Sequence, residues 1–116
     1  MNILFICTSN KDRSVALEQY FKANYPDNEY RSAGINKYFT SQKGTHYLTN
    51  EDIEWANLII CAEDIHKQIT IKNFNSSKNK PIITLNLGEY KQGQIGEDYL
   101  IKAEEKILQF TDLLSI

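Results

Sequence analysis

The chain has 116 residues, 41% of them hydrophobic, and a formal net charge of −2 from 13 basic and 15 acidic side chains. That length suits one domain around one core, residues 1–116. The near-neutral balance without a dense basic patch argues against nucleic acid as the main partner, and no apolar run approaches the roughly 20 residues of a membrane span.

Residues 2–7 predict a buried strand, because the run Ile3-Leu4-Phe5-Ile6 is apolar, short and without alternation. Cys7 then enters a polar loop, Thr8-Ser9-Asn10-Lys11-Asp12, which ends at Arg13-Ser14. A helix over 14–25 follows, with Ala16, Leu17, Tyr20 and Phe21 as its apolar stripe and Pro26-Asp27-Asn28 as its stop. Strand two runs from Glu29 to Ala33 and is stopped by Gly34. Residues 35–48 read as a long polar and aromatic connection. Thr49 with Asn50, Glu51 and Asp52 predicts a helix start, leading to Ile53 and Trp55-Ala56. Leu58-Ile59-Ile60-Cys61 is a third buried strand, and residues 63–74 are helical with Ile65 and Ile69 four apart. After a loop over 75–80, residues 81–85 form strand four. Gly88, Gly93 and Gly96 punctuate an irregular segment before a last helix from about Asp98, with Ala103, Ile107, Phe110 and Leu114 on one face. Strands separated by helices imply an α/β fold: a four-stranded parallel sheet with helices on both faces. Ligands of such sheets bind beyond the carboxyl ends of the strands, where Cys7 lies.

The sequence Cys-x5-Arg-Ser on a strand–loop–helix is the strongest signal in the chain. Backbone N–H groups of the loop and the helix N-terminus form an anion cradle, whose positive field favours a thiolate at Cys7. Arg13, one of two arginines in the chain, adds a planar fork of donors for phosphate oxygens. A thiolate aimed at a bound phosphate is the chemistry of cysteine phosphatases. In that reading Cys7 attacks phosphorus, Arg13 stabilises the growing charge, and Ser14 hydrogen-bonds the sulfur or caps the helix. The phosphate-binding set is Thr8, Ser9, Asn10, Lys11, Asp12 and Ser14. Asp12, an acid inside an anion loop, is expected to face outward and pair with a lysine.

Cys7, Asn10, Arg13 and Ser14 fall on the Cys-x-x-Asn-x-x-Arg-Ser of the low-molecular-weight protein tyrosine phosphatases. The sequence resembles the short bacterial branch of that family. Ser32-Ala33-Gly34 and Trp55-Ala56-Asn57-Leu58-Ile59-Ile60 resemble two further segments of it, in the same order, so the likeness runs to about Phe74. It implies a phosphocysteine intermediate, aryl phosphates with phosphotyrosine as the expected substrate, and a loop shaped by the Asn10 amide. One departure matters. The family's general acid is an aspartate in an Asp-Pro loop after strand four, and this chain has no Asp-Pro. Glu89, beside Tyr90, is the nearest acidic candidate, with Asp98 next.

Two other readings compete with the phosphatase. A phosphate-binding or regulatory pseudophosphatase would keep the loop and lose turnover with the acid. A cysteine-phosphorylated carrier resembling the IIB subunits of sugar phosphotransferase systems would lack the arginine at position 13. Arsenate reductases share the fold but use further redox cysteines, and only Cys61 remains for that role. Cys61 ends strand three as Cys7 ends strand one, so it is either a disulfide partner of Cys7 or, the favoured alternative, a buried inert thiol. Tyr38, Phe39, Tyr47 and Tyr90 either line an aryl slot or cover the core. His46 and His66 are not at ligand spacing and read as ordinary polar residues. The expectation is an enzyme with no metal and no cofactor, acting on a phosphorylated protein or small aryl phosphate. With Met1-Asn2 leading into a strand and no signal segment, the expected compartment is the cytoplasm.

Overall fold

The computed structural model describes residues 1–88 and 95–110. Four parallel strands, β1 (Asn2–Cys7), β2 (Glu29–Gly34), β3 (Leu58–Cys61) and β4 (Ile82–Thr84), lie in the order β2-β1-β3-β4. The α/β class expected from the sequence is therefore the one observed. β1 is central and its residues 3–7 are buried, which is why it reads as an unbroken apolar run.

Among the described residues five helices connect and cover the strands: α1 (Arg13–Asn24), α2 (Lys37–Lys43), α3 (Asn50–Trp55), α4 (Asp64–Asn73) and α5 (Glu97–Phe110), with a short 3-10 turn at Asn75–Asn79. The two faces of the sheet carry separate cores. On one face Ile3, Phe5 and Ile60 pack with Leu17 and Phe21 of α1 and Tyr99, Ala103 and Ile107 of α5. On the other, Leu4, Ile6, Ile59 and Cys61 pack with Leu48, Ile53 and Ala56. Alternation along each strand sends neighbouring residues to opposite cores.

Three expectations change. The connection over 35–48 contains α2, which its composition conceals but its ends reveal. Asn36 caps it by accepting from the Phe39 N–H at 2.9 Å, and Gly44 closes it with φ 65°. In α4 the buried residues are His66 and Thr70, whereas Ile65 is 53% exposed. The inward face of that helix carries polar groups with polar partners: His66 meets Thr8, and the Thr70 oxygen accepts from the Ser77 hydroxyl. Phe110 is likewise exposed, while Leu114, Gly93, Glu89 and Tyr90 lie outside the described residues.

Gly34 has a steric duty at the active end of the sheet. A Cβ there would sit 2.8 Å from the Asn10 nitrogen and 2.8 Å from the Ser9 carbonyl carbon. Only glycine lets the end of β2 approach the loop after β1 this closely.

Candidate active site

The loop over residues 8–12 leaves β1 at its carboxyl end and runs into the N-terminus of α1. Its carbonyls are tied down on the outside. Ile35 and Asn36 donate their N–H groups to the Cys7 and Thr8 oxygens at 3.0 Å each, and the Thr45 hydroxyl donates to the Ser9 oxygen. The N–H groups of residues 8–14 have no hydrogen-bond partner among the described residues. Donors left unpaired at a helix N-terminus are what an anion requires. Asn10 makes the turn possible with φ 52°, a conformation that asparagine tolerates better than most residues.

Cys7 lies at the base of this loop, 3% exposed, and a small cavity of about 90 Å³ is lined by Cys7, Thr8, Ser9, Asp12 and Arg13. Ser14 Oγ stands 3.0 Å from the Cys7 sulfur and 2.8 Å from Asn10 Oδ1. A hydroxyl has one proton and serves one acceptor at a time. While Ser14 donates to Asn10, the Cys7 thiol can donate to Ser14. When the sulfur is ionised, Ser14 turns to it and a rotated Asn10 amide can donate to the Ser14 oxygen. The chain of three thus accommodates both protonation states of the cysteine.

A second element braces the loop from the side. β3 ends beside β1, with Cys61 in register with Ile6, and Glu63 and His66 follow at the start of α4. Arg13 Nη1 donates to Glu63 Oε1 at 3.1 Å, with the two side chains 16% and 24% exposed. His66 is buried; its Nδ1 accepts the Glu63 N–H at 3.0 Å and its Nε2 lies 2.9 Å from Thr8 Oγ1. Burial, helped by the Arg13 charge, holds the His66 pKa down to about 4, so the imidazole is neutral near pH 7.

Most of the expected residues converge here, with corrections. Cys7, Thr8, Ser9 and Arg13 line the cavity; Asn10 and Ser14 sit beneath it as structural partners. Lys11 is exposed and does not line it. Asp12 is one of the residues around the cavity, and its side chain makes no cap bond to α1. A cation the sequence did not single out, Lys43, reaches Ser9 Oγ at 3.4 Å from α2. Glu89 lies outside the described residues, and Asp98 is an exposed helix residue paired with Lys102 at 3.2 Å.

His66 is more than the ordinary polar residue the sequence suggests, whereas His46 is a half-exposed polar side chain. His66 belongs to the loop's support, and His46 Nε2 sits 2.6 Å from the buried Asp52. The readable signal for His66 was its position three residues after Glu63, the spacing of a reciprocal helix cap. Tyr38 and Phe39 are exposed, pack edge to face on each other at 5.7 Å and do not border the cavity. Tyr47 forms a bridge to Gly34 at the end of β2, and Tyr90 lies outside the described residues.

Comparison with known proteins gives the fold a class. The chain has the fold of the low-molecular-weight protein tyrosine phosphatases, as its first loop implied. One such structure, from T. tengcongensis, aligns over 96% of this chain and 99% of its own at 24% identity with a TM-score of 0.70. The YwlE arginine phosphatase from Geobacillus stearothermophilus aligns over 97% and 95% at 24% identity with a TM-score of 0.68. A mutant of the YwlE arginine phosphatase with a phosphorylated active site serine in place of cysteine aligns over 99% and 94%, again at 24% identity, with a TM-score of 0.69. No protein-family model and no curated protein matches the sequence. Among the described residues no helix is long and apolar enough to cross a membrane.

Proposed function

We propose that the chain is a metal-independent cysteine phosphatase, a single catalytic domain of the cytoplasm, that hydrolyses phosphate monoesters through a phosphocysteine. The observation that carries this reading is the Cys7 sulfur, 3.0 Å from the Ser14 hydroxyl beneath a loop whose N–H groups lack partners among the described residues. In the first step the thiolate attacks phosphorus in line, the S–P bond forms and the P–O bond to the leaving group breaks. The leaving oxygen takes a proton from a general acid, for which Glu89 remains the candidate. Water then attacks the phosphocysteine and returns the thiolate, with Ser14 stabilising sulfur as the leaving group. Arg13 and the loop N–H groups stabilise the equatorial oxygens throughout.

For the substrate, phosphotyrosine in proteins is the first reading, supported by the fold class and by the loop sequence. Phosphoarginine, a phosphoramidate in which the P–N bond would break and the leaving guanidino nitrogen would take the proton, is the second, favoured by one observation. Asp12 is among the residues around the cavity, and a carboxylate at its edge attracts the guanidinium that carries phosphate in phosphoarginine. The arginine phosphatase among the similar structures acts on that chemistry by its own description.

Hydrolysis of para-nitrophenyl phosphate by wild type and Cys7→Ser tests the reading. Wild type should turn over with a chelator present, and Cys7→Ser should be inactive while still binding phosphate. Activity retained in Cys7→Ser, or abolished by the chelator, refutes it. Phosphotyrosine and phosphoarginine peptides assayed side by side rank the two substrates. Asp12→Asn should lower the preference for phosphoarginine if the second reading holds.

A further inference from the structure

We propose that His66 is a positioning residue that turns the Thr8 hydroxyl into a phosphate donor, a role that rests on the phosphate site assigned above. The argument follows one proton through three atoms. The Glu63 N–H donates to His66 Nδ1 at 3.0 Å, so Nδ1 is the unprotonated nitrogen of the ring. A neutral imidazole then carries its proton on Nε2. Nε2 faces Thr8 Oγ1 at 2.9 Å and can only donate to it. With that lone pair occupied from the side, the Thr8 proton points away from the histidine. Thr8 Oγ1 has no other side-chain or backbone partner among the described residues, and Thr8 lines the cavity above Cys7. Its hydroxyl is therefore preset as a donor in the place where phosphate oxygens would bind.

Burial reinforces the arrangement. His66 is 1% exposed, and a flipped ring would set carbon atoms in place of both nitrogens and lose the bonds to Glu63 and Thr8 together. The depressed basicity of the ring keeps Nδ1 free to accept the Glu63 N–H across the neutral pH range. A protonated ring would lose that bond and, with it, the fixed tautomer.

Two conservative variants separate this role from helix capping. In His66→Asn the amide oxygen can take the place of Nδ1 and keep the bond from Glu63, but the side chain is too short to reach Thr8. In His66→Gln the terminal amide nitrogen can reach the place of Nε2 and donate to Thr8. The measurements are calorimetric binding of inorganic phosphate, kcat and KM for para-nitrophenyl phosphate, and the melting temperature. His66→Asn and Thr8→Val should each weaken phosphate binding roughly tenfold, the loss of one hydrogen bond to a charged group. The double variant should bind no more weakly than either single one, because both remove the same bond. His66→Gln should recover most of the lost affinity.

Unchanged phosphate affinity in His66→Asn, losses that multiply in the double variant, or a failure of His66→Gln to recover affinity each overturn the proposal. Should His66→Asn not fold, Thr8→Val alone decides, and full phosphate affinity in that variant overturns the proposal. Binding keeps the two ideas apart. A wild type that binds phosphate but does not turn over refutes the phosphatase while His66 remains testable; one that binds no phosphate refutes both.

Discussion

The cleft beside β2 and the cavity above Cys7 both present polar side chains, and the larger of the two is the less suited to a ligand. A cleft of about 470 Å³ beside β2 is lined by Glu18, Arg31, Ser32, His46, Thr49, Glu51 and Asp52. Its groups are spent on one another: Ser32 donates to Glu18 at 2.5 Å, His46 meets Asp52 at 2.6 Å, and Arg31 bonds Asp52 at 3.4 Å while lying 4.3 Å over the Trp55 ring. The cavity above Cys7 has about 90 Å³, but the N–H groups of its loop have no hydrogen-bond partner among the described residues. Hydrogen-bonding capacity already satisfied contributes to folding; capacity left open contributes to binding. Volume alone ranks these two regions the wrong way round.

The two arginines make the contrast testable. Arg13 has one Nη1 bond to Glu63 and a further edge of its guanidinium for phosphate, which lysine cannot reproduce. Arg13→Lys should lower kcat for para-nitrophenyl phosphate by at least roughly tenfold, about 1.4 kcal/mol of barrier. A variant with wild-type kcat/KM removes Arg13 from the chemistry.

The cleft should answer in stability instead. Asp52 accepts from His46 and, at 3.0 Å each, from the Thr49 N–H and hydroxyl, besides its bond to Arg31. Asparagine would present an N–H to some of these donors and lose the charge. Asp52→Asn should cost about 1–3 kcal/mol, seen as a Tm lower by on the order of 5 °C, with kcat within about twofold of wild type. A loss of kcat without loss of Tm would make the cleft functional after all.

The legibility of the two regions differed for physical reasons. Strands β1 and β3 announce themselves because burial on both faces demands unbroken apolar runs, and the Cys7–Ser14 loop because its chemistry is local in sequence. Helix α2 was hidden because it is short and lies on the surface, so its evidence sits only in Asn36 and Gly44. Glu63 and His66 were missed because they act on Arg13 and Thr8 from 50 and 58 residues away. Their partners follow from the β1–β3 pairing, which no local pattern encodes.

The neutrality of His66 also marks the molecule in a pH titration. Its pKa is about 4 in the folded protein against an ordinary value of 6.5. Between those values the unfolded chain binds the proton and the folded one does not, so stability from this group is complete above pH 6.5 and is lost as pH falls through 4. The drop in Tm between pH 7 and pH 5 should therefore be larger in wild type than in His66→Gln, which has nothing to titrate there. Equal drops would mean that the ring is not held neutral by its surroundings.

The smallest response is expected from the second cysteine. Cys61 pairs in register with Ile6 and packs with Leu4, Ile6 and Ile59, one residue out of phase with Cys7. Adjacent strand residues face opposite sides of the sheet, so the two sulfurs are separated by the sheet itself and both cysteines are free. Burial pushes the Cys61 thiol up to about 12, which leaves almost no thiolate near pH 8. Iodoacetamide on the folded protein at that pH should therefore label Cys7 and spare Cys61. Mild peroxide followed by non-reducing peptide mapping should yield no Cys7–Cys61 peptide, and Cys61→Ala should keep wild-type kcat. Recovery of that disulfide peptide would require β1 and β3 to slip by one residue, exchanging the two cores, and would overturn the register on which the placement of Glu63 and His66 depends.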